Sequence, residues 1–215
     1  MKRLKSAPSR ARRVALRGAV ALAAGMGLVA ATGGTAHAVP VRLDYPLSGV
    51  THLQGTGSDL ALGPGVLEAT ADLKAGTMSA LTKLPPAPGS FKMLGAIPVS
   101  VTTEFIEPEP TIGTIDLKTG AVKSTTKLTL RLKDLRVAGI PTLVGSRCQT
   151  EVPAVLELAS EPGFNPIKGG KLSGTYTIPK FEHCLLATPL INLVIPGAGN
   201  TVTLTLGQAA QPPKP

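Results

Sequence analysis

The stretch that decides the fold is Thr111–Val137, TIGTIDLKTGAVKSTTKLTLRLKDLRV. From Val122 onward Leu128, Leu130 and Leu132 alternate with Lys123, Thr125, Lys127, Thr129, Arg131 and Lys133, the period-two pattern of a strand with one buried face. Thr111–Leu117 alternates in a similar way. Lys118-Thr119-Gly120 between the two runs reads as a turn whose glycine takes the left-handed conformation. The stretch therefore predicts an antiparallel hairpin.

Outward from it, Asp116-Leu-Lys-Thr-Gly120 followed by Thr126-Lys-Leu128 repeats Asp72-Leu-Lys-Ala-Gly76 followed by Thr82-Lys-Leu84 at a spacing of 44 residues. A weaker relative, Gly170–Pro179, matches Gly76–Pro85 at its Gly, Ser and Pro positions. A solenoid needs several near-regular copies of a unit, so these fit a meander of hairpins better. Duplication and convergence on the same turn chemistry explain the match equally well.

The remaining strands are expected at Tyr45–Leu53, Ser58–Leu62, Val66–Leu73, Ile97–Glu107, Gln149–Leu158, Lys171–Ile178 and Asn200–Gly207. In Gln149–Leu158 the inward set reads Val152, Ala154 and Leu156. Gly63-Pro64-Gly65 reads as a tight turn and Pro85–Ser90 as a rigid loop, because proline removes ladder donors. Thr188-Pro189 can open a helix that Pro196-Gly197 ends, so at most one short helix is expected, near residues 188–196. Gln208–Pro215 is expected to be a disordered tail. The fold class is all-β, an antiparallel β-sandwich or barrel built of meander hairpins. Choosing between the two requires strand pairing, which the pattern does not carry.

Met1–Ala38 reads as a signal peptide. Lys2, Arg3, Lys5, Arg10, Arg12, Arg13 and Arg17 precede the apolar run Ala19–Ala31, and Ala36-His37-Ala38 supplies a small-x-small site for cleavage between Ala38 and Val39. The run is too short and too rich in glycine and alanine for a transmembrane anchor. The general secretory route fits better than twin-arginine export. The whole chain has 22 Lys+Arg and 13 Asp+Glu. Seven of the basic residues and none of the acidic ones lie in the leader, which leaves 22 − 7 = 15 against 13. That balance takes away the main support for a nucleic-acid role, which needs a concentrated basic surface. The mature length, 215 − 38 = 177 residues, suits a single domain over residues 39–207. Cys148 and Cys184, in a chain bound for an oxidising compartment, are expected to form a disulfide.

No nucleophile elbow, zinc-protease helix or phosphate loop is present. Phe181-Glu182-His183-Cys184 brings chemistry-bearing groups together, but neighbours on a strand point to opposite faces. His52 and His183 lack further metal ligands at fixed spacing, and Glu107 with Glu109 lacks the oxygen set of a calcium site. No catalytic residue, metal or cofactor is assigned, and the expectation is a protein that is not an enzyme. Aromatic residues are too few for sugar or base stacking. Lys123, Lys127, Arg131 and Lys133 form a candidate surface for anionic envelope polymers or lipid headgroups; the simpler reading is a solvated strand face that discourages edge pairing. Leu185–Ile195, with Leu190, Leu193 and Val194, is a candidate lid over an apolar pocket or, more simply, a plug for a dry core.

Tyr45-Pro-Leu-Ser-Gly49, the loop from Gly139-Ile-Pro141 to Cys148, and Leu172-Ser-Gly-Thr-Tyr-Thr-Ile-Pro179 through Cys184 together resemble an uncharacterised family of secreted actinobacterial proteins with two cysteines. The resemblance spans most of the mature chain and implies export and a shared all-β fold, with no activity attached. The expected function is that of a secreted, non-enzymatic binding or structural protein, extracellular or at the cell envelope. Its partner would be an envelope polymer, a lipid or another surface protein, without nucleic acid and without a membrane anchor after cleavage. The alternative is a carrier of a small apolar ligand or lipid inside a β-barrel.

Overall fold

In the computed structural model, which describes residues 40–212, thirteen strands follow one another: β1 (Val41–Leu53), β2 (Ser58–Asp72), β3 (Thr77–Lys83), β4 (Ala87–Met93), β5 (Ile97–Ile106), β6 (Thr111–Ile115), β7 (Val122–Val137), β8 (Ile140–Pro141), β9 (Gln149–Thr150), β10 (Ala154–Ser160), β11 (Gly170–Ile178), β12 (Phe181–Glu182) and β13 (Gly197–Leu206). A 3-10 turn (Leu185–Ala187) and one short helix, α1 (Thr188–Val194), separate the last two. The signal peptide and the Ala38–Val39 cleavage position lie outside the described residues.

Eight strands close on themselves in the order β1-β2-β3-β6-β7-β10-β11-β13 and back to β1, each antiparallel to its neighbours. The pairing of β7 with β10, Leu128 opposite Ala154 and Lys123 opposite Ala159, shuts the cylinder. The fold is therefore a barrel, and closure leaves these strands no free edge. Its outer face carries Arg42, Ser79, Lys123, Lys127, Glu157 and Lys171 together with exposed Val50, Leu81, Ile112 and Val155, while the inner face is largely apolar.

β7 is longer than the barrel. Up to Leu128 it pairs with β10, and from Thr129 on it pairs with β5, which pairs in turn with β4. β9 and β12 join the same extension. The extension, α1 and the Cys148–Cys184 disulfide, with Cα atoms 4.3 Å apart, cover one end of the barrel. At the other end, among the described residues, the β2–β3, β6–β7 and β10–β11 connections meet beside the start of β1 and the segment that follows β13.

Several expectations change. Gly63-Pro64-Gly65 is a bulge inside the single long strand β2, where the register against β1 shifts between Leu47 and Gly49, so the expected turn does not form. Pro88, Gly89 and Ser90, read as loop, lie in β4; this is an edge strand, where proline's missing donor costs no ladder bond. Gln149–Leu158 is broken at Pro153 into β9 and β10, and Val152, expected inward, is exposed. Gln208–Ala210, expected to begin a disordered tail, are tied down. Ala210 exchanges both backbone hydrogen bonds with Asp44, at 2.8 and 2.9 Å, and Ala209 N–H donates to Ile167 O at 2.8 Å.

Candidate functional site

The inward positions of the barrel do not fill it. Val41, Leu43, Ala69, Ala71, Met78 and Ala80 from β1–β3 face Val122, Ser124, Thr126, Leu158, Leu172 and Leu206 across a cavity of about 180 Å³. Small side chains make the space: alanine at 69, 71 and 80, serine at 124 and threonine at 126 stand where larger aliphatic residues would close it. A second cavity, of about 50 Å³, lies beyond it toward the covered end and is lined by residues including Leu60, Phe91, Val101, Leu132, Phe181 and Ile195. Thr51, Phe105, Leu130 and Tyr176 line both and form the partition. The partition is pinned by a 2.7 Å hydrogen bond between Thr51 Oγ1 and the Tyr176 hydroxyl, and burial pushes that phenol above its ordinary pKa.

Several polar groups on the wall are tied to protein partners. Thr126 Oγ1 lies 2.7 Å from Thr111 Oγ1, which donates to Glu107 Oε1 at 2.6 Å. Glu107 Oε2 also accepts from Thr82 N–H at 2.7 Å. This carboxylate bridges the place where β3 and β6, paired only over Thr77–Ala80, splay apart. Glu107 thus acts as a wall fastener. Tyr45, whose phenol pKa burial also raises, donates its hydroxyl to Pro166 O at 2.6 Å and anchors the β10–β11 connection to β1.

The uncovered end is built of three similar turns. Asp72 Oδ1 accepts from Lys74 and Ala75 N–H, both at 2.9 Å. Asp116 Oδ1 accepts from Lys118 N–H at 2.8 Å and Thr119 N–H at 3.3 Å. Asn165 Oδ1 accepts from Ile167 N–H at 2.9 Å and Lys168 N–H at 3.0 Å. Gly76 and Gly120, at φ 66° and 76°, supply the left-handed residue of the first two. The turns touch one another: Ile115 N–H donates to Gly76 O at 2.8 Å, and a Cβ on Gly120 would sit 3.0 Å from Pro166 Cδ. Their tips are Leu73, Leu117 and Ile167, which are 53%, 57% and 57% exposed. Leu73 and Ile167 also line the large cavity, so its apolar lining continues out to the surface here. This end is the mouth.

The residues singled out in the sequence fall elsewhere. Lys127 meets Glu109 at 2.8 Å, Lys133 meets Glu104 at 2.5 Å, and Arg131 lies 3.8 Å from the same Glu104 carboxylate. Three of the four stripe residues are thus matched by carboxylates, and Lys123 stands near the mouth at the start of β7. Leu190, Leu193 and Val194 belong to α1 at the covered end and line neither cavity; Leu190 and Val194 pack on the core, and Leu193 is exposed. His52, without an assigned partner in the sequence, pairs through Nδ1 with Asp59 at 2.7 Å, and His183 Nε2 lies 3.4 Å from Glu182. Both pairs are exposed, and neither histidine lines a cavity.

The mouth itself was missed in the sequence. The Asp-Leu-Lys repeat was visible, but its third member, Asn165-Pro-Ile-Lys-Gly169, differs by an inserted proline and by asparagine for aspartate. Comparison with protein-family models, with curated proteins and with solved structures returned no match.

Proposed function

We propose that the protein acts by binding, as an exported carrier that holds one small apolar molecule, or the end of a single acyl chain, inside the barrel. The cavity carries this reading. An apolar cavity of about 150 Å³ stays dry and takes up benzene-sized molecules, and this one is about 180 Å³. On the scale of about 24 cal/mol per Å³ measured for apolar voids, leaving it empty costs about 4 kcal/mol. Total folding stabilities are only about 5–15 kcal/mol. Apolar matter recovers that energy, and the wall hydroxyls at Thr51, Thr111 and Thr126 are already engaged with protein partners.

A small cavity with an open mouth selects by size. A molecule with one polar end would place its tail against Ala69, Ala80 and Leu172 and leave the polar end among the turns. The leader and the buried disulfide support export to an oxidising setting. Two exposed histidine–carboxylate pairs, both away from the cavity, favour binding over catalysis.

Native mass spectrometry of protein purified without detergent tests the proposal. The expected result is a species heavier than the bare polypeptide by one small molecule, which organic extraction releases. Bare polypeptide alone, together with no saturable uptake of an apolar fluorophore, would contradict it.

A further inference from the structure

We propose that the mouth docks on anionic lipid bilayers, with Leu73, Leu117 and Ile167 entering the boundary between headgroups and acyl chains while Lys74, Lys118 and Lys168 engage the headgroups. Each of the three turns repeats one device. An Asx side chain folds the backbone back on itself and pushes a large aliphatic residue outward, and a lysine follows at once in the chain. Three such tips on neighbouring turns form one patch. An exposed, contiguous apolar patch rimmed by charge is the mark of an interaction site.

The charge around the patch selects the partner. Arg42, Lys74, Lys118, Lys123, Lys168 and Lys171 stand at this end against Asp44, Asp72, Asp116 and Glu161, and none of these six cations makes an ion pair among the described residues. Away from the mouth Lys83, Lys127, Arg131 and Lys133 lie against glutamates, while Lys92, Arg136, Arg147 and Lys180 make no ion pair among the described residues, so what marks the mouth is the gathering of unpaired cations around exposed aliphatic tips. Unpaired lysines beside inserted aliphatic residues match the layered chemistry of an anionic membrane surface, a charged layer over an apolar one.

Continuity with the cavity is the second support. Leu73 and Ile167 belong both to the exposed tips and to the cavity wall, so a docked mouth would join the barrel interior to the acyl layer without exposing a ligand to water. The inference thus builds on the carrier reading, but docking itself needs only the tips and the lysines.

Flotation with vesicles separates the two claims. The chain from Val39 onward, which holds all of the described fold and omits the basic leader, would be mixed with phosphatidylcholine vesicles with or without phosphatidylglycerol. Binding is expected to the anionic vesicles only and to fall at high salt. Leu73→Ser/Leu117→Ser/Ile167→Ser should weaken it at least tenfold, and Lys74→Gln/Lys118→Gln/Lys168→Gln should weaken binding to the anionic vesicles and reduce its salt dependence. Leu186→Ser, at a residue 97% exposed on the covered end, should bind vesicles like the wild type. Ala80→Phe, inside the cavity, should also bind vesicles like the wild type while losing uptake of an apolar fluorophore in solution. Fluorophore uptake without vesicle binding would overturn docking and leave the carrier standing; vesicle binding without uptake would do the reverse. Equal binding by the triple serine variant and the wild type, or an equal loss in Leu186→Ser, would also overturn docking.

Discussion

The two halves of β7 face two different interiors. Val122, Ser124 and Thr126 look only into the large cavity, Leu130 lines both, and Leu132 lines only the small one. The half toward the mouth, with Ser124 and Thr126 beside Val122 and Leu128, encloses about 180 Å³, whereas the half with Leu130 and Leu132 borders the cavity of about 50 Å³. The covered end also holds the disulfide and two asparagines that bond backbone groups, Asn192, partly buried, and Asn200, buried. Asn192 exchanges hydrogen bonds with the Phe181 backbone at 2.7 and 2.9 Å. Asn200, 1% exposed, accepts from Gln54 N–H at 3.0 Å and donates to Gly197 O at 2.7 Å and Tyr176 O at 3.2 Å. Stability is concentrated at one end and accessible volume at the other, within a single cooperative barrel.

Mutations should respect that division. The largest effect belongs to the covered end: replacing both Cys148 and Cys184 by alanine opens a loop of 36 residues and should cost about 3 to 4 kcal/mol in urea unfolding. Asn200→Ala removes a buried side chain that bonds three backbone groups and should cost about 2 kcal/mol by the same measurement. Next come two identical enlargements at buried alanines. Ala154→Phe, at a position that lines neither cavity, should cost about 1 to 3 kcal/mol by overpacking, while Ala80→Phe, aimed into the large cavity, should cost less than Ala154→Phe. Equal costs would break the distinction between packed and open interior. At the mouth, Leu73→Ser, Leu117→Ser and Ile167→Ser should each change stability by no more than about 0.5 kcal/mol, because these side chains are already half in water.

The smallest effect is electrostatic. The Lys118 and Thr119 backbone N–H groups hold the Asp116 carboxyl below its ordinary pKa. A depressed carboxylate stabilises the fold at pH above its unfolded pKa and loses that contribution as pH falls through the folded one. The β6–β7 turn should therefore loosen at acid pH, which amide exchange at Lys118 and Thr119 would report. Asp116→Asn should keep the turn, as Asn165 does in the third connection, and abolish this pH dependence. Asp116→Ala should loosen the turn at every pH.

The all-β class, the hairpin at Thr111–Val137, the disulfide and the helix at Thr188–Val194 were legible because each rests on local signals: alternation, turn glycine, two cysteines, and Thr-Pro before Pro-Gly. What escaped depends on groups far apart in the chain. The pairing of Leu128 with Ala154 decides barrel over sandwich, and neither residue's neighbours announce it. Pro88 could be read only as a breaker until β4 was known to be an edge. The cavity is a sum over eight strands, and its local traces are small inward residues, Ala69, Ala71 and Ala80 on β2 and β3 and Ser124 and Thr126 on β7. The mouth depends on three turns that the sequence separates by up to 96 residues, Lys168 and Asp72 being its extremes.

The central claim is that the mouth half of the barrel holds an apolar ligand, and titration of the delipidated protein with an apolar fluorophore tests it most directly. The account predicts saturable binding of a single probe per chain, at least tenfold weaker in Ala80→Phe and unchanged in Leu186→Ser. Absence of saturable binding, or equal affinity in Ala80→Phe and the wild type, would contradict it.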